Sequence, residues 1–247
     1  MTNPLDQRLL DAIDAQRALI FDVSDQIHAH PELQYQEVFA ADLLTRTFEA
    51  YGFAVERGVC DMPTAFVARM DSGKPGPTVA FLAEYDALPN LGHGCGHNLI
   101  AASTVAAGLG MREVLSDAGG QAIVFGTPAE EGGGGKIPMV NAGLFQGVDA
   151  VLMVHHGGDK SRVPTETGTG SCLATSQRQY EFFGQTAHAA HDPWNGINAL
   201  NAVIHLFLGI DSLRQHIHDT ARIHGIITHG GDAPNVVPRY AAAALLI

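Results

Sequence analysis

TVAFLAEYDALPNLGHGCGHNLIAASTVAAGLGMREVL, residues 78–115, runs from an apolar strand through a glycine-rich polar loop into an alanine-rich helix. The short apolar run Thr78–Ala83 predicts a buried strand. The helix is predicted over Leu99–Leu115, with Asn98 as its N-cap. Strand, loop and helix in that order form the repeating unit of a layered α/β domain, whose loops at the carboxyl ends of strands are where sites form. Further buried strands are expected at Ala122–Thr127 and Ala150–Val154, with a short helix near Pro138–Asn141 between them. Upstream, a strand at Ala65–Met70 precedes the turn-rich DSGKPGP, and a helix over Glu37–Tyr51 is closed by Gly52. Apolar Leu9, Leu10, Ile13, Ile20, Val23 and Ile27 predict a helix up to about His30. The alternation implies an α/β layered domain with a mainly parallel sheet.

The texture changes after about Ser171. A strand at Gln179–Phe183, a long helix over Asn198–His216 and strands at Ile223–Thr228 and Ala241–Ile247 imply a smaller α+β domain. The expected division is 1–170 and 171–247. The sequence reaches Ile247 on AAAALLI, inside an apolar strand pattern. That pattern reads as cut off, so this second domain is expected to be incomplete and its last strand to lack a further partner.

Of the 247 residues, 46% are apolar and 16% charged, a globular composition rather than a disordered one. A formal charge of −12 argues against a nucleic-acid partner, which needs clustered Lys and Arg. No apolar run approaches ~18 residues, so no membrane span is expected. The acidic start MTNPLDQRLLDAIDAQ is unlike a secretory signal. Cys60, Cys95 and Cys172 are too few for a disulfide framework, which points to a reducing compartment, the cytoplasm. Thirteen histidines, several beside acids and glycines, direct attention to metal chemistry.

Three loops carry the chemistry, each after an expected sheet strand. In GHGCGHN, 92–98, Cys95 and His97 stand two apart among glycines and can turn onto one ion; a thiolate and an imidazole suit zinc and related metals. A buried structural cysteine with a helix-capping histidine, or a cysteine nucleophile paired with a histidine, fits the same residues. In TPAEEGGGG, 127–135, adjacent carboxylates repel each other unless a cation is near. One can bind metal while the other stays free as a general base; a solvated acidic turn is the plainer reading. In VLMVHHGGD, 151–159, strand alternation lets only one of His155 and His156 face a site. Three loops at one sheet edge offering Cys, His, Glu and His favour a metal over each plainer reading, and a ligating thiolate is not free to attack.

With these residues in view, the chain resembles the amidohydrolase branch of the dinuclear metallopeptidases, which includes hippurate hydrolase and indole-acetyl-amino-acid hydrolases. The resemblance rests on ordered motifs along the whole chain: HAHPELQYQE at 28–37, EYDALP at 84–89, GCGHN, PAEE, the strand ending at His155, HAAHDPWNG at 188–196 and GGDAPNVVP at 230–238. The EYDALP, GCGHNLIA and PWNG forms are similar to p-aminobenzoyl-glutamate hydrolases and Xaa-Lys or Xaa-Arg dipeptidases. The resemblance implies two divalent metal ions, zinc or manganese, held by Cys95, His97, Glu131 and His155, with Glu130 as the base. It implies that Asp86 orients a ligand, although a turn carboxylate is its ordinary role. His188 would reach a neighbouring subunit's site to steady the oxyanion, although a histidine in a strand-turn is ordinarily just exposed. Asn235 would help hold the substrate carboxylate.

The implied reaction is hydrolysis of the amide bond in an N-acyl-amino acid or dipeptide, in a homodimer joined through the smaller, lid domain. The resemblance also implies a second half of the catalytic domain, with a last metal-binding histidine, that the residues up to Ile247 do not supply. A non-catalytic metal-binding or dimerising fragment is therefore the first alternative, and a cysteine hydrolase the second.

Overall fold

The computed structural model describes residues 3–156 and 174–247. The chain divides into two compact units, Met1–Pro164 and Thr165–Ile247. The boundary expected between 170 and 171 lies outside the described residues, as does Cys172.

The first unit is built on a five-stranded sheet of β1 (Ala54–Arg57), β2 (Phe66–Asp71), β3 (Thr78–Ala83), β4 (Gln121–Gly126) and β5 (Ala150–Leu152), in the order β1-β2-β4-β3-β5. β4, β3 and β5 run parallel, whereas β1 and β2 are antiparallel additions, so the sheet is mixed. The parallel part is the part that matters for chemistry: its carboxyl ends all lie at one edge.

Helices α1 (Pro4–Ala15), α2 (Arg17–Ala29), α3 (Val38–Ala50) and α4 (His97–Ala118) precede and interleave these strands. One face of the sheet is covered by Val23 and Ile27 of α2, Leu44 and Phe48 of α3, and Ala101, Val105 and Leu109 of α4. On the opposite face Val59, Met62 and Met139 close a second core over Val67, Ala80, Ile123 and Phe125. Met139 belongs to α5 (Lys136–Asn141). Helix α4 has the length and hydropathy of a membrane span, but it lies in the core of this unit with just over half of that window buried. Burial between packed layers accounts for its apolar composition.

Local differences from the sequence reading have identifiable causes. The first helix is two, broken at Gln16. Asn98 is not the cap of α4 but its second residue; Gly96, at φ 68°, is the N-cap, and the Asn98 amide donates instead to Ser24 Oγ at 2.9 Å. β5 is exposed rather than buried, because among the described residues it is the outermost strand and pairs only with β3.

The second unit is a three-stranded antiparallel sheet, β6 (Gln177–Phe183), β8 (Tyr240–Leu246) and β7 (His224–His229), in the order β6-β8-β7. Helix α6 (Ala199–Leu213) opens on Asn198, whose Oδ1 accepts from the Leu200 and Asn201 N–H groups. Its Ala199 and Val203 pack on Ala241 and Ala243 of β8 and on Phe182 of β6. The last strand is thus no unpartnered edge but the centre of its sheet, which explains why YAAAALL is small, apolar and largely buried.

Candidate metal centre

The carboxyl ends of β3, β4 and β5 and the first turn of α4 bring Glu84, Asp86, His97, Glu130, Glu131 and His155 together. Gly96 makes this possible locally. Its positive φ turns the chain into the helix at His97, and any Cβ there would lie 2.2 Å from the His156 ring.

His97 is the hub, with 1% of its surface exposed. Its Nδ1 donates to Asp86 Oδ1 at 2.9 Å, and the other Asp86 oxygen accepts from the Glu131 N–H at 2.9 Å. One buried carboxylate thereby fixes both a ring and a loop. Burial alone would raise the Asp86 pKa, but the hydrogen bonds from His97 and Glu131 hold it below the ordinary carboxylate value. With Nδ1 protonated toward Asp86, the His97 Nε2 lone pair points the other way, the arrangement that orients metal-binding histidines.

Nε2 faces acids on every side: Glu84 Oε2 at 3.4 Å, Glu131 Oε1 at 3.7 Å and Glu130 Oε2 at 3.8 Å. Burial lowers the His97 pKa, but the Asp86 hydrogen bond and the charges of Asp86, Glu84 and Glu131 outweigh it and raise the value. His97 Nε2, Glu84 Oε2 and Glu131 Oε1 are buried and have no hydrogen-bond partner among the described residues. Orphaned buried polar atoms are rare, and here they face one another. Two ligands about 2.1 Å from a tetrahedral ion sit about 3.4 Å apart, so the spacing suits a divalent cation. Two overlapping groups have ligand atoms within 4.8 Å of one another: Glu84, His97 and His155, and His97, Glu130 and Glu131.

Cys95 lies beside this cluster rather than inside either group. Its thiol donates to Glu131, and that bond, burial and the negative charge of Glu131, Glu130 and Asp86 push its pKa up to about 11. Such surroundings disfavour a free thiolate nucleophile, whereas a bound cation reverses them. Burial raises the Glu130 pKa, the charge of Glu84 adds to the shift, and Lys136 opposes it. His155 meets the His97 ring edge to face at 5.9 Å, and His156 stacks on His155 at 5.2 Å. Strand alternation does not separate the two histidines because β5 ends at Leu152, before either of them.

Two residues of this cluster carry no role in the sequence reading. Glu84 immediately follows β3, and Lys136 begins α5 and pairs with it. The spacing of Glu84 and Asp86 was a usable signal, since residues two apart in extended chain share a face. Lys136 follows four glycines and offered none.

His188 and Asn235 belong to the second unit. A bridge joins His188 to Val236, and the Ala189 N–H donates to the Asn235 carbonyl at 3.0 Å, so the two motifs form one corner. His188 is exposed there, its Nδ1 accepting from the Ala190 N–H at 3.2 Å.

Comparison with known proteins gives this geometry a context. Residues 172–247 match the peptidase dimerisation domain of the M20 family. Over 249 residues the sequence is 41% identical to the mouse (Mus musculus) Xaa-Arg dipeptidase, covering 96% of this chain and 56% of that protein. It is 39% identical over 257 residues to a p-aminobenzoyl-glutamate hydrolase of Escherichia coli, covering 96% of this chain and 52% of that one. The chain thus spans about half the length of these curated relatives. The fold is also that of a Bacillus subtilis protein described as a dinuclear metal-binding peptidase of the M20 family. That likeness has a TM-score of 0.60 at 23% identity, over 94% of this chain and 64% of the other.

Proposed function

Since the chain is a relative of the Xaa-Arg dipeptidases and p-aminobenzoyl-glutamate hydrolases, we propose that it carries the catalytic centre of a metal-dependent amidohydrolase. The substrate is an N-acyl-amino acid or a dipeptide, of the aminobenzoyl-glutamate or Xaa-Lys/Arg kind. One observation carries this reading: Glu84 Oε2, His97 Nε2 and Glu131 Oε1 are buried, without a hydrogen-bond partner among the described residues, and gathered around one another.

In this reading Cys95, His97, Glu131 and His155 hold two divalent ions, zinc or manganese, which when bound would polarise the amide carbonyl and acidify a water. Asp86 keeps His97 in the tautomer and orientation that expose Nε2. Glu130 accepts the attacking water's proton and returns it to the leaving amine nitrogen. Its raised pKa, caused by burial and then by Glu84, suits a group that must both take and give a proton. His188 donates to the oxyanion in the site of a neighbouring subunit, and Asn235 binds the substrate carboxylate; their shared corner supports a joint role. Residues 1–170 then form the N-terminal part of the catalytic domain, and 171–247 belong to the lid through which two copies dimerise. A thiolate ligand such as Cys95 is at home in a reducing compartment, the cytoplasm.

The test separates the paired glutamates in a protein that hydrolyses aminobenzoyl-glutamate or β-alanyl-lysine. Glu130→Gln keeps its metal and loses about 10²–10⁴ in rate. Glu131→Gln loses metal first, by elemental analysis. Near wild-type turnover in Glu130→Gln would overturn the assignment.

A further inference from the structure

We propose that Glu84 is an additional carboxylate donor at this centre, set in place by Lys136. The inference rests on the metal-centre reading above.

Glu84 is 1% exposed, and a carboxylate at that depth requires compensation. Lys136 supplies half of it by taking Oε1. A purely structural ion pair would leave the second oxygen in solvent or on a backbone N–H. Instead Oε2 is buried with no hydrogen-bond partner among the described residues, and it makes the closest approach of any of the three glutamates to His97 Nε2, at 3.4 Å. Asp86 already engages Nδ1 of His97, which leaves Nε2 and Oε2 facing each other at 3.4 Å with no hydrogen bond between them. A buried carboxylate oxygen without a hydrogen bond calls for a positive centre nearby, and a metal ion shared with Nε2 would supply it. Glu84 also shares a group of converging ligand atoms with His97 and His155, and the second group, His97, Glu130 and Glu131, meets it at His97. Lys136 keeps Oε2 turned inward by occupying Oε1.

The experiment uses Zn²⁺ and Co²⁺ as probes on the purified chain and needs no substrate. Binding is measured by competition with a chromophoric chelator, and the ligand set is read from the visible bands of bound Co²⁺. Glu84→Gln is expected to weaken Zn²⁺ binding about 10–100-fold and to change the Co²⁺ bands. Glu84→Asp, which keeps the charge but is one methylene shorter, is expected to change the bands as well. Lys136→Met retains bound metal with altered bands.

Unchanged bands in Glu84→Gln and Glu84→Asp, with or without weaker binding, would reduce Glu84 to a nearby charge and overturn its role as donor. His97→Ala separates the two levels. If it too leaves Zn²⁺ binding intact, the metal-centre reading itself fails. If it abolishes binding while Glu84→Gln binds within about twofold of wild type with the same bands, only the Glu84 inference fails. Should Glu84→Gln not show a cooperative thermal transition, the Glu84→Asp spectrum decides.

Discussion

Asp86 and Glu37 show how single buried carboxylates set the geometry of the centre. Asp86 spends one oxygen on His97 and the other on the Glu131 N–H. Asp86→Asn must offer an NH₂ to one of these donors, so the ring or the loop loses its anchor. Metal affinity is expected to fall about 10–100-fold with the fold retained, measured by chelator competition alongside circular dichroism. Glu37, 0% exposed, accepts from Ala129 N–H at 2.8 Å and from the Thr64 hydroxyl at 2.9 Å. Ala129 holds a left-handed φ of 59°, costly for a residue with a side chain, immediately before Glu130. Burial raises the Glu37 pKa above its ordinary 4.5 despite these bonds. An acid whose folded pKa is raised contributes stability that is full below the unfolded value and lost as pH climbs through the folded one. Wild type should therefore lose stability relative to Glu37→Gln as pH rises above 4.5. Urea midpoints of the two proteins compared at pH 4 and 7 test this, and a constant difference would sink it. At this scale the sequence was legible where chemistry-bearing types cluster, as in GCGHN and PAEE. It was illegible where a role depends on tertiary approach, as for Lys136 meeting Glu84.

At the scale of elements, legibility followed burial. β3, β4 and α4 were readable because continuous apolar runs flanked by glycine or polar loops have few alternatives. β1, four mostly exposed residues on the sheet edge, carries no such run. The break between α1 and α2 falls at Gln16, with neither proline nor glycine, and the Gln16 side chain accepts from the Tyr51 hydroxyl. A tertiary contact of that kind leaves no local trace. β8 lies where the last strand is predicted, but its central place in the sheet is not legible because sequence position says nothing about sheet order. The junction most exposed to a single change is the start of α4. Gly96→Ala places a Cβ 2.2 Å from the His156 ring in a left-handed conformation that by itself costs about 1 kcal/mol. His97 and His156 cannot then both keep their places. The expected outcome is a lower melting temperature and weaker metal binding together. Unaltered Zn²⁺ affinity in this variant would show that the turn is not what positions His97.

At the scale of the whole molecule, both units leave large apolar side chains exposed, and those on the sheet of the second unit bear on assembly. In the second unit, the odd-numbered residues of β8 face α6, which places the even-numbered residues and their cross-strand partners on the opposite face. That face carries Phe183 at 77% exposure, Ile226 at 66% and Leu246 at 48%, together with Tyr240, set among the polar Gln177, Gln179, Glu181, His224 and His229. Among the described residues β6 and β7 each pair only with β8, so the same sheet also has two open edges. Exposed apolar side chains beside open strand edges recruit other chains. With a match to a peptidase dimerisation domain over the same residues, the occupant proposed here is a second copy of the chain. Ile226→Lys is the discriminating variant, because a charge on β7 opposes both packing on the open face and pairing along the edge. Light scattering at micromolar concentrations should give a dimer for the wild type. The variant should be a monomer with the same circular dichroism, since Ile226 lies outside the core formed by Val203, Ala241 and Ala243. Zn²⁺ binding should be unchanged in that monomer, as its proposed ligands belong to the first unit. A monomeric wild type would remove the basis for assigning His188 to a neighbouring subunit's site. A dimeric Ile226→Lys would move the interface elsewhere on the unit.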